Sequence, residues 1–144
     1  EEMFQATLKS LPADVAIFSA AVCDYKVKKT SNLKIKKQNE INLELEKNVD
    51  ILDYVSNHNS LRPKLVVGFA AETNNLEKYA DKKLSEKNCD WIVANDVSNQ
   101  SIGFDSDFNE VSIFYKDKKI DRLEYKSKSE ISDELVEKII DHLN

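Results

Sequence analysis

Lysines dominate the residues that could do chemistry. Between positions 26 and 37 stand Lys26, Lys28, Lys29, Lys34, Lys36 and Lys37, six cations in twelve residues with no acid among them. In a chain whose overall balance is acidic, such a stretch makes a local positive field able to hold a polyphosphate or a carboxylate, although lysine-rich segments are more commonly solvated faces. Lys34 and Lys36 stand two apart in an alternating stretch and would share one strand face, opposite Leu33, Ile35 and Lys37. A second group is Lys82, Lys83 and Lys87. Lys83 and Lys87 form an i, i+4 pair, and like charges so placed weaken an isolated helix slightly. An anion between them would explain the arrangement, and Glu86 or Asp90 could supply one from the protein itself.

Other candidates lie where apolar runs end. Ala20-Ala-Val-Cys-Asp-Tyr25 pairs small residues, which admit close approach to the backbone, with an acid at a strand tip; the plainer reading is a turn capped by Asp24. Val67-Gly-Phe-Ala-Ala-Glu-Thr73 runs from a strand into a helix start, where backbone amides could meet an anion, or Gly68 could simply relieve tight packing. Ala94-Asn-Asp-Val97 closes a third strand. Asp105-Ser-Asp-Phe-Asn109 faintly matches the opening of a calcium loop, but Glu110 stands at the required glycine and Lys116 at the bidentate acid, so a self-bonded turn is the better reading.

Several chemistries are excluded by counting. Gly68 and Gly103 are the only glycines, so neither G-x-G-x-x-G nor G-x-x-x-x-G-K-[ST] exists in this chain. His58 and His142 are the only histidines, which removes a histidine-pair zinc site, and no serine sits in a G-x-S-x-G elbow. The 144 residues carry 21 basic and 26 acidic side chains, a formal charge of -5, against the basic surplus of a duplex nucleic-acid binder. The longest apolar runs fall well short of the ~20 residues that span a bilayer. Two distant cysteines, Cys23 and Cys89, make no disulfide framework, and no basic-then-apolar leader precedes Glu1. A soluble, cytoplasmic protein with neither nucleic acid nor membrane as partner is the expectation.

The elements that must position these residues follow from patterning. Residues 14 to 23, 64 to 71 and 91 to 94 are continuous apolar runs, expected to be strands buried on both faces in a parallel sheet. Residues 1 to 10, 48 to 58 and 74 to 87 have helical spacing, with Asn48 as a possible cap of the second and Thr73 or Asn74 of the third. The closing stretch, with Ile131, Leu135, Ile139, Ile140 and Leu143, is the clearest amphipathic helix. Residues 111 to 125 read as an antiparallel edge hairpin around Lys116 to Lys119, and Leu33 to Lys37 with Ile41 to Glu46 as a second, projecting hairpin. The expected fold is a single α/β domain over 1–144: a Rossmann-like open sheet, mostly parallel, with helices on both faces, antiparallel hairpin additions, and ligands beyond the carboxyl ends of the strands.

Taken in order, Ala20 to Tyr25, Lys34-Ile-Lys-Lys37, Glu46-Lys-Asn-Val-Asp-Ile51, Val67 to Asn75, Lys83 to Lys87, Ala94 to Val97 and Gly103-Phe-Asp-Ser-Asp107 resemble the C-terminal part of the phosphopantothenoylcysteine synthetase family, the ligase half of a bacterial bifunctional enzyme of coenzyme A biosynthesis. The resemblance implies a CTP-dependent ligase acting with magnesium. The carboxylate of 4'-phosphopantothenate attacks the nucleotide's α-phosphorus, and the amine of L-cysteine displaces CMP from the acyl-cytidylate. It further implies that Lys34, Lys83 and Lys87 are nucleotide-binding lysines, Lys34 also catalytic, that Asp24 contacts the nucleotide, and that Phe69 lies against it. By the same resemblance Asp50 and Ile51, with flanking Val49 and Leu52, read the cytosine edge. A bound metal has no protein ligands that the resemblance names.

The chain departs from the family where Val49 replaces a usual proline and Cys23 a usual alanine. The family's glycine-rich nucleotide loop, and an asparagine segment needed for turnover of the acyl-cytidylate, both precede the matched stretch, so a fragment or split subunit with reduced isolated activity is expected. Family members dimerise through this domain, which implies a homodimer joined through the Leu33 to Glu46 hairpin. A flavin-dependent decarboxylase domain or subunit is an implied partner with no counterpart here. Two other readings compete: a non-catalytic α/β assembly or dimerisation module whose lysines contact a partner, and a dinucleotide-dependent oxidoreductase, disfavoured by the missing glycine fingerprint.

Overall fold

In the computed structural model the described residues are 1–31, 33–34, 42–98 and 106–144. They form, in chain order, α1 (Glu2–Lys9), β1 (Val15–Phe18), β2 (Tyr25–Val27), β3 (Leu45–Lys47), α2 (Ile51–Ser56), β4 (Leu65–Glu72), α3 (Leu76–Lys87), β5 (Trp91–Asp96), β6 (Phe108–Tyr115), β7 (Ile120–Ser127) and α4 (Lys128–Leu143). A five-stranded sheet has the order β1-β4-β5-β6-β7. β1, β4 and β5 run parallel, with Ile17 opposite Val67 and Phe69 opposite Val93. The β6–β7 hairpin closes the far edge antiparallel, with Val93 opposite Ile113 and Val111 opposite Leu123. This is the expected Rossmann-like architecture.

The central strands are apolar on both faces because helices cover both. On one face Leu52 of α2 and Ala80 and Leu84 of α3 pack with Val66, Ala70, Ile92 and Phe114. On the other, Ile131 and Ile139 of α4 pack with Leu65, Val67, Trp91, Val93 and Ile113. Gly68 belongs to the first layer: a β-carbon there would come 2.7 Å from Leu52 Cδ2 and 2.9 Å from Ile92 Cδ1. The packing reading of that glycine is therefore correct, and it is α2 that crosses it. The final helix opens with a reciprocal capping box, Ser127 accepting from the Glu130 N–H and Glu130 from the Ser127 N–H.

Four expectations require correction. The first apolar run is not a strand buried on both faces. It ends at Phe18, lies at the edge of the sheet that the described residues form, and leaves Ile17 51% exposed there. Ser19, Ala20 and Ala21 are poor strand formers, and the chain leaves the sheet there. The hairpin expected of Leu33 to Lys37 with Ile41 to Glu46 lies largely outside the described residues, and within them its end pairs differently: β2 pairs with β3, Lys26 opposite Glu46 and Val27 opposite Leu45. Leu33 and Lys34 lie outside that pairing, while Lys36, Lys37 and the turn expected around them fall outside the described residues, as do Gly103, Phe104 and Asp105. Asn48 does not cap α2; Asp50 does, accepting the Asp53 N–H at 2.9 Å. α3 begins after Asn75, not Thr73 or Asn74, and Asn75 holds a left-handed φ of 47° without a side-chain cap bond, a conformation asparagine tolerates better than most residues.

Among the described residues no helix is long and apolar enough to cross a membrane.

Candidate functional site

A cleft of about 830 Å³ opens at the carboxyl ends of β1 and β4, the position where open α/β sheets hold ligands. Each of its walls comes from a different stretch of chain. The loop after β1 supplies Ala20, Ala21, Cys23 and Asp24; the approach to α2 supplies Asn48 to Leu52; β4 supplies Phe69 to Ala71; α3 supplies Lys83. Asn48 ties the first two walls together. Its side-chain amide donates to the Cys23 carbonyl and its backbone N–H to the Asp24 carbonyl, both at 2.8 Å. Sequence reasoning misses this role of Asn48; an equally good cap two residues later, at Asp50, is the signal that could have left it free for another task.

Of the residues singled out from the sequence, Asp24, Val49, Asp50, Ile51, Leu52, Phe69 and Lys83 line this one cleft. Ile51 and Leu52 are buried, whereas Val49 is 46% exposed. Lys83 reaches back along the strand end and donates to the Phe69 carbonyl at 3.0 Å. Lys87 sits beside the cleft, its ammonium 2.8 Å from Asp50 Oδ2. The anion sought near the Lys83–Lys87 pair is thus Asp50, which is remote in sequence. Glu86 pairs instead with Lys82, and Asp90 with Arg62 and Lys116. Lys34 is exposed and is not part of the cleft lining.

Electrostatics distinguish the lysines further. Lys26 lies 3.2 Å from Glu1 and 3.5 Å from Glu46, and Lys28 lies 3.9 Å from Glu44. The ribbon's own acids therefore offset part of the positive field that the sequence suggests, because the returning segment places Glu44 and Glu46 across from those lysines. Partial burial pushes the Asp50 carboxyl up, but the Asp53 N–H and the Lys87 ammonium more than offset it and hold it below the usual carboxylate range. The same hydrogen bond to Asp50 raises Lys87, so the pair is fully ionised near neutral pH. Of the two carboxylates lining the cleft, only Asp24 has no ion-pair partner among the described residues. The cleft thus combines small residues, an aromatic ring, a helix start and the Lys83 ammonium, with the Asp50–Lys87 ion pair at its side, a set suited to a flat ring carrying an anionic tail.

Sequence comparison matches residues 1–143 to the model for the DNA/pantothenate metabolism flavoprotein C-terminal domain. The chain belongs to that family. It is 43% identical over 143 residues to the coenzyme A biosynthesis bifunctional protein CoaBC of Haemophilus influenzae, covering 98% of this chain and 35% of that protein. With the CoaBC of Bacillus subtilis the figures are 42% over 140 residues, 96% and 34%. The chain therefore spans about a third of the length of the curated relatives it matches. Among solved structures it superposes on the C-terminal domain of a coenzyme A biosynthesis bifunctional protein CoaBC with a TM-score of 0.76 and 35% identity, covering 99% of this chain and 61% of that one. The fold is shared with a DNA/pantothenate metabolism flavoprotein of Streptococcus pneumoniae, at a TM-score of 0.70 and 23% identity, covering 99% of this chain and 68% of that one.

Proposed function

We propose that this chain is the nucleotide-binding portion of a phosphopantothenate–cysteine ligase of coenzyme A biosynthesis, and that its nucleotide is CTP. What supports the reading is the meeting of the 20–24, 48–52, 69–71 and α3 segments around one cleft at the strand ends, with Lys83 and Lys87 at its edge. The cytosine would lie against the 49–52 backbone and Phe69, and the phosphates toward the α3 lysines. The reaction forms an O–P bond between the 4'-phosphopantothenate carboxylate and the α-phosphorus as pyrophosphate leaves. An amide bond to L-cysteine then forms as CMP leaves and the amine loses a proton. Fixed cations favour the first step because negative charge gathers on the phosphorus oxygens in its transition state.

Magnesium would arrive with the triphosphate. The described residues contain no group of three or more Asp, Glu, His or Cys side chains placed to hold a metal. Its coordination would come chiefly from phosphate and water oxygens, as is usual for this ion, with Asp24 available for an outer contact. Lys34 belongs to the ribbon side of the molecule and lies outside the cleft of its own chain; in this reading it serves the cleft of a second copy. The exposed Tyr25, Val27, Leu43 and Leu45 of the ribbon are the surface of the homodimer that brings it there, since a two-stranded ribbon gains little stability alone. A flavin-dependent decarboxylase unit is the further partner, and the cytoplasm the setting, that this reading carries.

Thermal melting with magnesium–CTP tests it. A ligand that binds only the native state at a hundredfold excess over Kd adds about 2.7 kcal/mol of apparent stability, so a clear rise in Tm is expected, abolished in Lys34→Gln. A folded sample whose Tm ignores millimolar CTP rules the nucleotide reading out. In that event charge reversal at Lys34 and Lys36 that altered particle size by light scattering would favour an assembly module.

A further inference from the structure

Asp50 spends its two carboxylate oxygens on different partners. Oδ1 accepts the Asp53 N–H at 2.9 Å and closes the first turn of α2. Oδ2 holds Lys87 Nζ at 2.8 Å, near the end of α3. One turn earlier, Lys83 is fastened to the Phe69 carbonyl. Two ammonium groups at i and i+4 repel, and a free lysine keeps much rotamer freedom that binding must remove. A single carboxylate anchored by its own helix cap offsets the first and removes much of the second.

We propose that Asp50 is a positioning residue for the nucleotide site: its carboxylate fixes the Lys87 ammonium at the cleft edge before a polyphosphate arrives. The inference rests on the nucleotide reading of the cleft. A lysine held in place binds with less ordering cost than one that must be immobilised during binding. The opposite role, a cleft carboxylate that repels incoming phosphates, has the opposite experimental sign. Neutralising such a group would tighten binding.

Asp50→Asn separates the two, because asparagine ranks with aspartate as a helix cap while losing the charge. Calorimetric titration with magnesium–CTP and with CMP is the measurement. Affinity for CTP should fall about tenfold, or 1.4 kcal/mol, and affinity for CMP by much less. Once Lys87→Gln is present, adding Asp50→Asn should cost little further, since both changes remove one interaction. A merely structural role would weaken CTP and CMP alike and give additive losses, and either result overturns the inference. So does tighter or unchanged CTP binding by Asp50→Asn. Should Asp50→Asn fold poorly, Asp50→Ser retains a capping oxygen without charge and faces the same criteria. A parent chain that binds neither nucleotide removes the nucleotide reading and this inference together. A parent that binds while the variant keeps full affinity removes this inference alone.

Discussion

Arg62 shows how much one side chain can hold. Its guanidinium donates to the carbonyls of Ser56, Pro63 and Asn88 and to both oxygens of Asp90, while Asp90 also accepts the Val66 N–H at 2.8 Å. This network joins the end of α2 to the starts of β4 and β5, below the strand ends that form the cleft. Burial pushes the Asp90 carboxyl up, but Arg62, the Val66 N–H and Lys116 more than offset it and hold it low. A carboxylate whose pKa is depressed by folding contributes stability above its unfolded value, near 4, and loses that contribution as pH falls through the folded value. Stability should therefore drop on acidification below about pH 4. Arg62→Met should cost about 2–3 kcal/mol at neutral pH, because Asp90 is left short of partners, and urea titrations at pH 7 and pH 3 should find the variant's deficit smaller at the acid end. Gly68→Ala tests packing in the same neighbourhood. Leu52 and Ile92 must shift to admit the new methyl, so a loss of about 1–2 kcal/mol is expected from the urea midpoint.

At the scale of elements, α4 provides the cleanest measurement. Ser127→Ala removes one half of the capping box and should cost about 1 kcal/mol, read as a lower thermal midpoint. The elements are largely legible from the sequence because their signals are local. Apolar runs such as Leu65 to Ala71 and Trp91 to Ala94, and the spacing of Ile131, Leu135 and Ile139, carry their own periodicity. What is not legible depends on partners distant in sequence. The apolar character of Val15 to Phe18 resembles that of β4, and composition alone does not say that among the described residues one side of the strand goes without a neighbour. The ribbon's alternation at Leu33 and Ile35 suggests one register, whereas Lys28 N–H to Glu44 O and Asn48 N–H to Asp24 O fix the pairing nearer its base. Likewise, the anion beside Lys87 can be sought in the sequence only among near neighbours, and the fold delivers Asp50 from the start of another helix.

For the molecule as a whole, the site is legible as a set of segments and not as a geometry. Seven of the residues selected by family resemblance meet in one cleft, but the distribution of charge among them differs from a simple count of lysines. Ion pairs occupy Lys26 and Lys28, and Lys34 stands apart from the cleft. If a second copy supplies Lys34, nucleotide-induced stabilisation should weaken on dilution in step with loss of dimer, a relation that sedimentation velocity with and without magnesium–CTP can measure. On the same reading Lys83→Gln should reduce CTP affinity at every protein concentration, since that lysine lines the cleft of its own chain.

The edge position of β1 has a practical corollary. A short apolar strand with one ladder of N–H and C=O groups unpaired among the described residues is a template onto which an extended polypeptide can add, whether from a further part of a longer protein or from another molecule of the same kind. Where residues 1–144 are prepared alone, concentrated solutions should therefore grow large, shapeless particles through Val15 to Phe18, and Ile17→Lys, which places a charge on that half-exposed rim, should keep them clear.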